Sequence, residues 1–258
     1  MILDKVAGGP AEAVAGIRSG SSVAVGGFGL AGIPWFLIEA LLAQGADDLT
    51  IVSNNCGVDG AGLGLLLEHR RISRVIASYV GENKEFARQY LAGELTVELT
   101  PQGTLAERLR AGGSGIGAFY TPTGVGTLVS EGGLPWRYHP DGTVALSSPP
   151  KEVRTFHGRE MVLEESIVTD AALVRAAVAD RAGNCVFHAA ARNFNPAAAM
   201  AGRFTVVEAE RVVEAGEIHP DQVHLPGVFV QSVVALTPEQ AARKDIEKRT
   251  TRARREAN

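Results

Sequence analysis

The chain has 258 residues, 45% of them hydrophobic, with 30 glycines and a formal net charge of −4. That is enough for one large α/β domain or two small ones, with a sizeable core and many tight turns. The mild acidity gives no reason to expect nucleic acid or an anionic membrane surface as a partner, and no apolar run approaches the roughly 18 residues of a membrane span. The start, Met1-Ile2-Leu3-Asp4-Lys5, lacks the basic opening and apolar stretch of a signal peptide. Cys56 and Cys185 have no metal-ligand spacing and read as buried thiols in a reducing compartment. The expectation is a soluble cytoplasmic protein.

From about residue 20 to 120, β-branched apolar runs alternate with helix-period segments. Strands are expected near Ser22–Gly26, Leu49–Ser53 and Arg74–Tyr79, and helices over Trp35–Ala43, Gly62–His69, Asn83–Ala92 and Thr104–Ala111. This alternation implies βαβ units and a mostly parallel central sheet flanked by helices. Gly93–Glu98 alternates less cleanly. Thr104 followed by Glu107 has the pattern of a capping box, placing a helix N-cap at Thr104. Residues 112–142, rich in Gly, Pro and Thr, read as long loops with a protruding hairpin over Leu134–Gly142. Beyond residue 143 the pattern turns β-rich, with strands expected at Val144–Ser147, Met161–Leu163, Ala172–Val178, Val186–His188 and Phe204–Glu208 and a helix over 196–202. A charged helical tail from Pro238 ends in Arg252-Ala253-Arg254-Arg255, a solvated face. No internal repeat is visible, and one domain over 1–258 with a β-rich C-terminal elaboration fits best.

Ligands of such sheets sit beyond the carboxyl ends of the strands. The turns Gly26–Pro34, Asn54–Gly60 and Val80–Asn83 would share that edge. In the first, Gly26-Gly27-Phe28-Gly29 and Gly32-Ile33-Pro34 separate a strand from a helix start. Such a junction can turn backbone N–H groups toward an anionic or carbonyl-bearing ligand, and Pro34 suits the first helical position. The spacing is not GxGxxG and lacks the Lys and Ser/Thr of a P-loop, which argues against nucleotide hydrolysis. A plain tight turn is the alternative. Asn54 and Asn55 could offer donors and acceptors to a polar ligand, or simply form a turn. The Gln102 amide could donate to a developing oxyanion, or lie idle on the surface.

Taken together, several blocks are similar to those of family I coenzyme A transferases. They are Val25-Gly26-Gly27-Phe28-Gly29-Leu30-Ala31-Gly32-Ile33-Pro34, Ser53-Asn54-Asn55-Cys56-Gly57-Val58-Asp59, Ser78-Tyr79-Val80-Gly81-Glu82-Asn83 and Leu99–Arg108. Ala118–Gly124 and Ala191–Pro196 extend the resemblance, which runs from about residue 5 to 235 and lies nearest the A (alpha) subunits of the branch acting on 3-oxoacids. It implies the family's α/β fold and transfer of CoA from succinyl-CoA to a 3-oxoacid such as acetoacetate. Coenzyme A is then a substrate, with no permanently bound cofactor and no metal. A glutamate forms an acyl anhydride and then a glutamyl-CoA thioester. In this family that glutamate lies on the B (beta) subunit, so a homologous partner is implied, as a heterodimer or heterotetramer. Carried over by block, Gln102 would stabilise the oxyanion. Gly26, Gly27, Phe28, Gly29, Leu30, Ala31 and Gly32 would contact CoA, and Asn54 and Asn55 would line the substrate pocket.

Gly81-Glu82-Asn83 superficially resembles the surroundings of the family nucleophile, but Lys84 stands where glycine belongs. Trp35 occupies a position where the resemblance leads one to expect a glutamate, and Ser19 precedes Gly20 where an acidic or amide residue is usual. An acid at 35 would favour the helix dipole by roughly 0.3–1 kcal/mol; tryptophan forgoes that and adds bulk. His69, His157, His188 and His219 read as packing or surface residues, and Asp59, Glu68 and Glu131 as structural. Rival readings are one chain of a 3-oxoadipate CoA-transferase, a CoA-ester hydrolase and a non-catalytic CoA-binding protein on the same fold.

Overall fold

The computed structural model describes residues 4–246; the Arg252–Arg255 run lies outside them. The strands are β1 (Ser22–Val25), β2 (Leu49–Val52), β3 (Ile72–Ala77), β4 (Thr96–Leu99), β5 (Ala118–Thr121), β6 (Pro135–Tyr138), β7 (Val144–Ser147), β8 (Val153–Phe156), β9 (Arg159–Glu165), β10 (Thr169–Ala176), β11 (Val178–Asp180), β12 (Cys185–Val186), β13 (Gly202–Ala209), β14 (Val212–Val213) and β15 (Ser232–Ala235). The α-helices are α1 (Pro10–Val14), α2 (Trp35–Gln44), α3 (Leu63–Glu68), α4 (Lys84–Leu91), α5 (Gln102–Gly113), α6 (Leu128–Glu131), α7 (Asn195–Ala201) and α8 (Pro238–Ala242). Among the described residues no helix is long and apolar enough to cross a membrane.

Seven of the described strands form the central sheet in the order β15-β13-β10-β1-β2-β3-β4. All its pairings are parallel, as expected from the βαβ alternation. Successive side chains of one strand go to opposite faces. Val23 and Val25 of β1 join Leu37, Ile38 and Leu41 of α2 and Leu66 and Leu67 of α3. Ala24, between them, joins Leu105 and Leu109 of α5 and Ala198 of α7. Because both faces are covered, the strands read as continuous apolar runs rather than alternating ones. Three strands from the β-rich half, β10, β13 and β15, extend the central sheet, and β10 sits directly beside β1. The antiparallel additions are β5-β9-β8 and the hairpin β6-β7. That hairpin matches the one expected over Leu134–Gly142, and β4, β5, α6 and β6 fill stretches that the sequence left unassigned or read as loops.

Two local expectations are overturned. The Thr104 capping box does not form: α5 begins at Gln102 with Pro101 as N-cap, and the Pro101 carbonyl accepts from Leu105 N at 2.8 Å. Thr104 lies inside the first turn, where its Oγ1 is buried without a partner. Pro34 is the N-cap of α2 rather than its first residue, with its carbonyl taking Ile38 N. In both places a proline with a negative φ starts the helix where its carbonyl, not a side-chain cap, receives the first bond.

Candidate functional site

The expected edge assembles. After β1 the chain forms the loop Gly26–Pro34, folded on itself by reciprocal bonds between Phe28 and Ala31, of 3.1 and 3.0 Å. Gly27 has φ +107°, and a Cβ there would stand 2.4 Å from Ile33 Cγ2, so the turn requires glycine. After β2, Ser53 Oγ donates to Val25 O at 2.9 Å, tying the two strand ends together. Asn55 Oδ1 accepts Gly29 N at 2.9 Å, joining the second turn to the glycine loop. Asn83, expected at a helix start, is the N-cap of α4; its Oδ1 accepts Phe86 N, and its Nδ2 donates to Cys56 O at 2.8 Å.

A chain of amides runs along this edge. Gln102 Nε2 donates to Asn54 Oδ1 at 2.8 Å, and Ser78 Oγ donates to the same oxygen at 2.8 Å. Asn54 Nδ2 donates to Asn55 Oδ1 at 3.2 Å, and Asn55 Nδ2 to Gly57 O at 3.3 Å. Asn54 is fully buried and Asn55 only 4% exposed, whereas Gln102 is exposed at the first residue of α5. The buried asparagines therefore orient the glutamine. A carboxamide nitrogen carries two hydrogens, and only one has a partner among the described residues, leaving Gln102 a fixed donor at the surface. Cys56 follows this pair but is wholly buried, and burial pushes its thiol well above the ordinary range. Among the described residues no group of three or more His, Cys, Asp or Glu side chains could hold a metal ion.

Several donors of the glycine loop and of the helix start behind it are engaged within the chain. The N–H groups of Phe28, Gly29, Ala31 and Trp35 have partners within the chain. Those of Phe36 and Leu37 at the start of α2 are taken by Glu208 Oε2, at 2.9 and 3.1 Å. The loop offers a wall free of side-chain bulk with several of its donors already engaged, and only Phe28 stands out from it, 41% exposed. Glu208 comes from β13 and is fully buried, with Arg175 Nη1 of β10 at 3.3 Å from its other oxygen. Burial pushes its carboxyl up to about 7, against the opposing pull of Arg175 and the two N–H groups. The helix thus has its carboxylate, supplied by the sheet instead of residue 35.

Trp35 is itself 2% exposed and turned inward. The Arg243 guanidinium lies 4.2 Å from its ring centroid and pairs with Glu39 at 2.6 Å. Trp35, Leu30 and Ile33 line a cavity of about 160 Å³ bounded also by Arg175, Arg243 and Lys244. The sequence reading missed Arg175, Glu208 and Asn195. The available signal was a lone Arg in the apolar run of β10 and a lone Glu in that of β13, since a charge inside a doubly covered strand needs a buried partner.

A doubly covered parallel sheet that collects a glycine loop, paired asparagines and a glutamine beyond its strand ends belongs to the α/β proteins that bind small molecules at that edge. Residues 9–236 match the family described as coenzyme A transferase, and the chain belongs to that family. It is 64% identical over 250 residues to the probable A chain of the succinyl-CoA:3-ketoacid coenzyme A transferase of Mycobacterium tuberculosis (strain H37Rv), covering 97% of this chain and 100% of that protein. It is 51% identical over 243 residues to the mouse mitochondrial succinyl-CoA:3-ketoacid coenzyme A transferase 2A, covering 94% of this chain but 46% of that one. The fold is also similar to an Escherichia coli O157:H7 acyl-CoA transferase (YdiF) solved as a thioester complex with CoA. There the TM-score is 0.76 at 21% identity, over 92% of this chain and 48% of the other. The chain thus spans about half the length of the mouse enzyme and of the solved E. coli chain.

Proposed function

We propose that this chain is the A (alpha) subunit of a cytoplasmic CoA-transferase that moves CoA from succinyl-CoA to a 3-oxoacid such as acetoacetate. A homologous B (beta) subunit supplies the glutamate nucleophile, in a heterodimer or heterotetramer, and no cofactor is permanently bound. The carrying observation is the 64% identity across the full length of a relative bearing that name. A partner chain is supported by that relative's being named as one subunit and covered along its whole length. On this reading residues 1–258 act as one unit.

The partner's carboxylate attacks the thioester carbonyl, forming a tetrahedral oxyanion that collapses to an acyl anhydride and expels CoA thiolate. The thiolate attacks the glutamyl carbonyl, releasing succinate and leaving a glutamyl-CoA thioester; the acceptor acid then reverses both steps. The unpartnered N–H of Gln102, held in place by Asn54, donates to each oxyanion. The Gly26–Gly32 wall passes the narrow, neutral pantetheine arm, to which a surface without bulky side chains is suited. Asn54 and Asn55 back that pocket from beneath and set the glutamine's rotation.

The test is co-expression with a homologue from a neighbouring reading frame that carries a Glu-Asn-Gly block, followed by initial-rate kinetics. Parallel double-reciprocal lines, a CoA adduct on the partner's glutamate and an inert isolated chain are expected. An adduct on Glu82 of the isolated chain, CoA release without an acceptor, or a preference for 3-oxoadipate would each overturn the assignment.

A further inference from the structure

β1 leaves the sheet at Gly26, and a side chain continues the ladder it abandons. The register pairs Val25 with Leu173, and Gly26 N donates to Leu173 O at 2.9 Å. The next donor along β10 is Arg175 N, which in a continued parallel ladder would meet the carbonyl of residue 26. It meets Asn195 Oδ1 instead, at 3.1 Å. Asn195 Nδ2 donates to Gly32 O at 2.9 Å and to Ala191 O at 2.8 Å. Asn195 is fully buried, and a Cβ on Gly26 would fall 2.0 Å from its Oδ1. One carboxamide therefore touches the first residue of the glycine loop, holds the last, and closes the strand end between them. Asn193 adds a lesser grip, its Nδ2 donating to Ala31 O at 3.0 Å.

Over that span the loop contains Gly27, Gly29 and Gly32, at φ +107°, +58° and +71°. Glycine loses more conformational freedom on ordering than any other residue. A wall of this composition binds well only if something else has already ordered it, because ordering on binding is subtracted from affinity. We propose that Asn195 is a positioning residue of the transferase: it packs against Gly26 at one end of Gly26–Gly32 and bonds Gly32 O at the other, so that the wall is formed before the CoA ester arrives. The inference rests on the reading of that loop as the CoA contact.

The test is Asn195→Asp in the complex with the partner chain. Aspartate keeps the volume and the acceptor for Arg175 N but has no N–H for Gly32 O and Ala191 O. The expected result is a rise in KM for acyl-CoA of about tenfold, within the range that misplacement of a binding element produces. The kcat and the acceptor KM should stay within about twofold. Amide hydrogen exchange over residues 27–33 should quicken by about the same factor, with β1 to β3 unchanged. If Asn195→Asp does not fold, Asn193→Ala, which removes the Ala31 grip along with bonds to Ala190 O, Phe194 N and Asn195 Nδ2 but leaves the Asn195 bonds to Gly32 O and Ala191 O in place, should move the same two readouts in the same direction. Unchanged exchange would overturn the pinning while leaving the CoA contact intact. Faster exchange with an unchanged acyl-CoA KM would instead overturn the loop as a CoA contact. A fall in kcat with KM unchanged would overturn the positioning role.

Discussion

Replacing Gln102 with alanine separates catalysis from stability unusually well at this site. Gln102 is exposed, and the one side-chain bond it makes among the described residues is to Asn54 Oδ1 at 2.8 Å. That oxygen keeps a second donor, Ser78 Oγ at 2.8 Å, so the buried asparagine is not orphaned when the glutamine goes. An exposed residue at a helix start that leaves no buried group unpaired changes stability by no more than about 0.5 kcal/mol. An oxyanion donor is worth about 10²–10³ in kcat, or roughly 3–4 kcal/mol of transition-state stabilisation. The expected outcome for the complex is therefore a fall in kcat of that size, little change in either KM, and a melting temperature within about 2 °C of wild type. Each half-reaction passes through tetrahedral oxyanions at the same site, so the loss should appear with either acyl donor. A kcat within threefold of wild type in a folded variant would refute the role of Gln102.

Two further substitutions test the groups behind the glycine loop. Trp35→Glu restores the acid expected from the resemblance, yet it should destabilise by about 3 kcal/mol or more in denaturant melts. Position 35 is buried, the N–H groups of Phe36 and Leu37 already face Glu208, and the neighbouring cations Arg175, Arg243 and Lys244 are already paired with Glu208, Glu39 and Glu210, so the new carboxylate would be buried beside occupied partners; a gain of about 0.3–1 kcal/mol, as helix-dipole arguments alone give, would contradict this. For Glu208, burial outweighs Arg175 and sets the carboxyl at about 7, above its ordinary value of 4.5. The folded state then binds a proton that the unfolded state has released, so this contribution is complete below pH 4.5 and is lost as pH rises to 7. The stability of wild type relative to Glu208→Gln should fall by up to about 1 kcal/mol per pH unit across that window, and a difference independent of pH would rule it out.

Much of the site was legible because its signals are local. The change from an apolar run to glycines to a helix period marks β1, its loop and α2, and the period comes from backbone geometry that neighbouring residues set. Asn54, Asn55 and Gln102 could be placed at strand ends for the same reason, and both thiols could be read as buried because they lack metal-ligand spacing. The Thr104 cap failed on a competition between two local signals a few residues apart, where Pro101 started the helix first. Other features depend on residues far along the chain. Gly26 must be glycine because Asn195 fills its Cβ space. The start of α2 has no open donors because Glu208, more than 170 residues away, occupies them. β10 could not be seated beside β1 from strand order, since a run of apolar residues fits any covered strand. The sequence by itself determined the βαβ alternation, the glycine loop and the amides that share its edge, because each follows from torsion angles and spacing within a few residues. Only the tertiary structure decided that the loop is held from behind by Asn195 and that the donors of Phe36 and Leu37 face a buried carboxyl instead of a ligand. That outcome depends on which buried polar group reaches which orphaned N–H, and long-range packing sets those pairings.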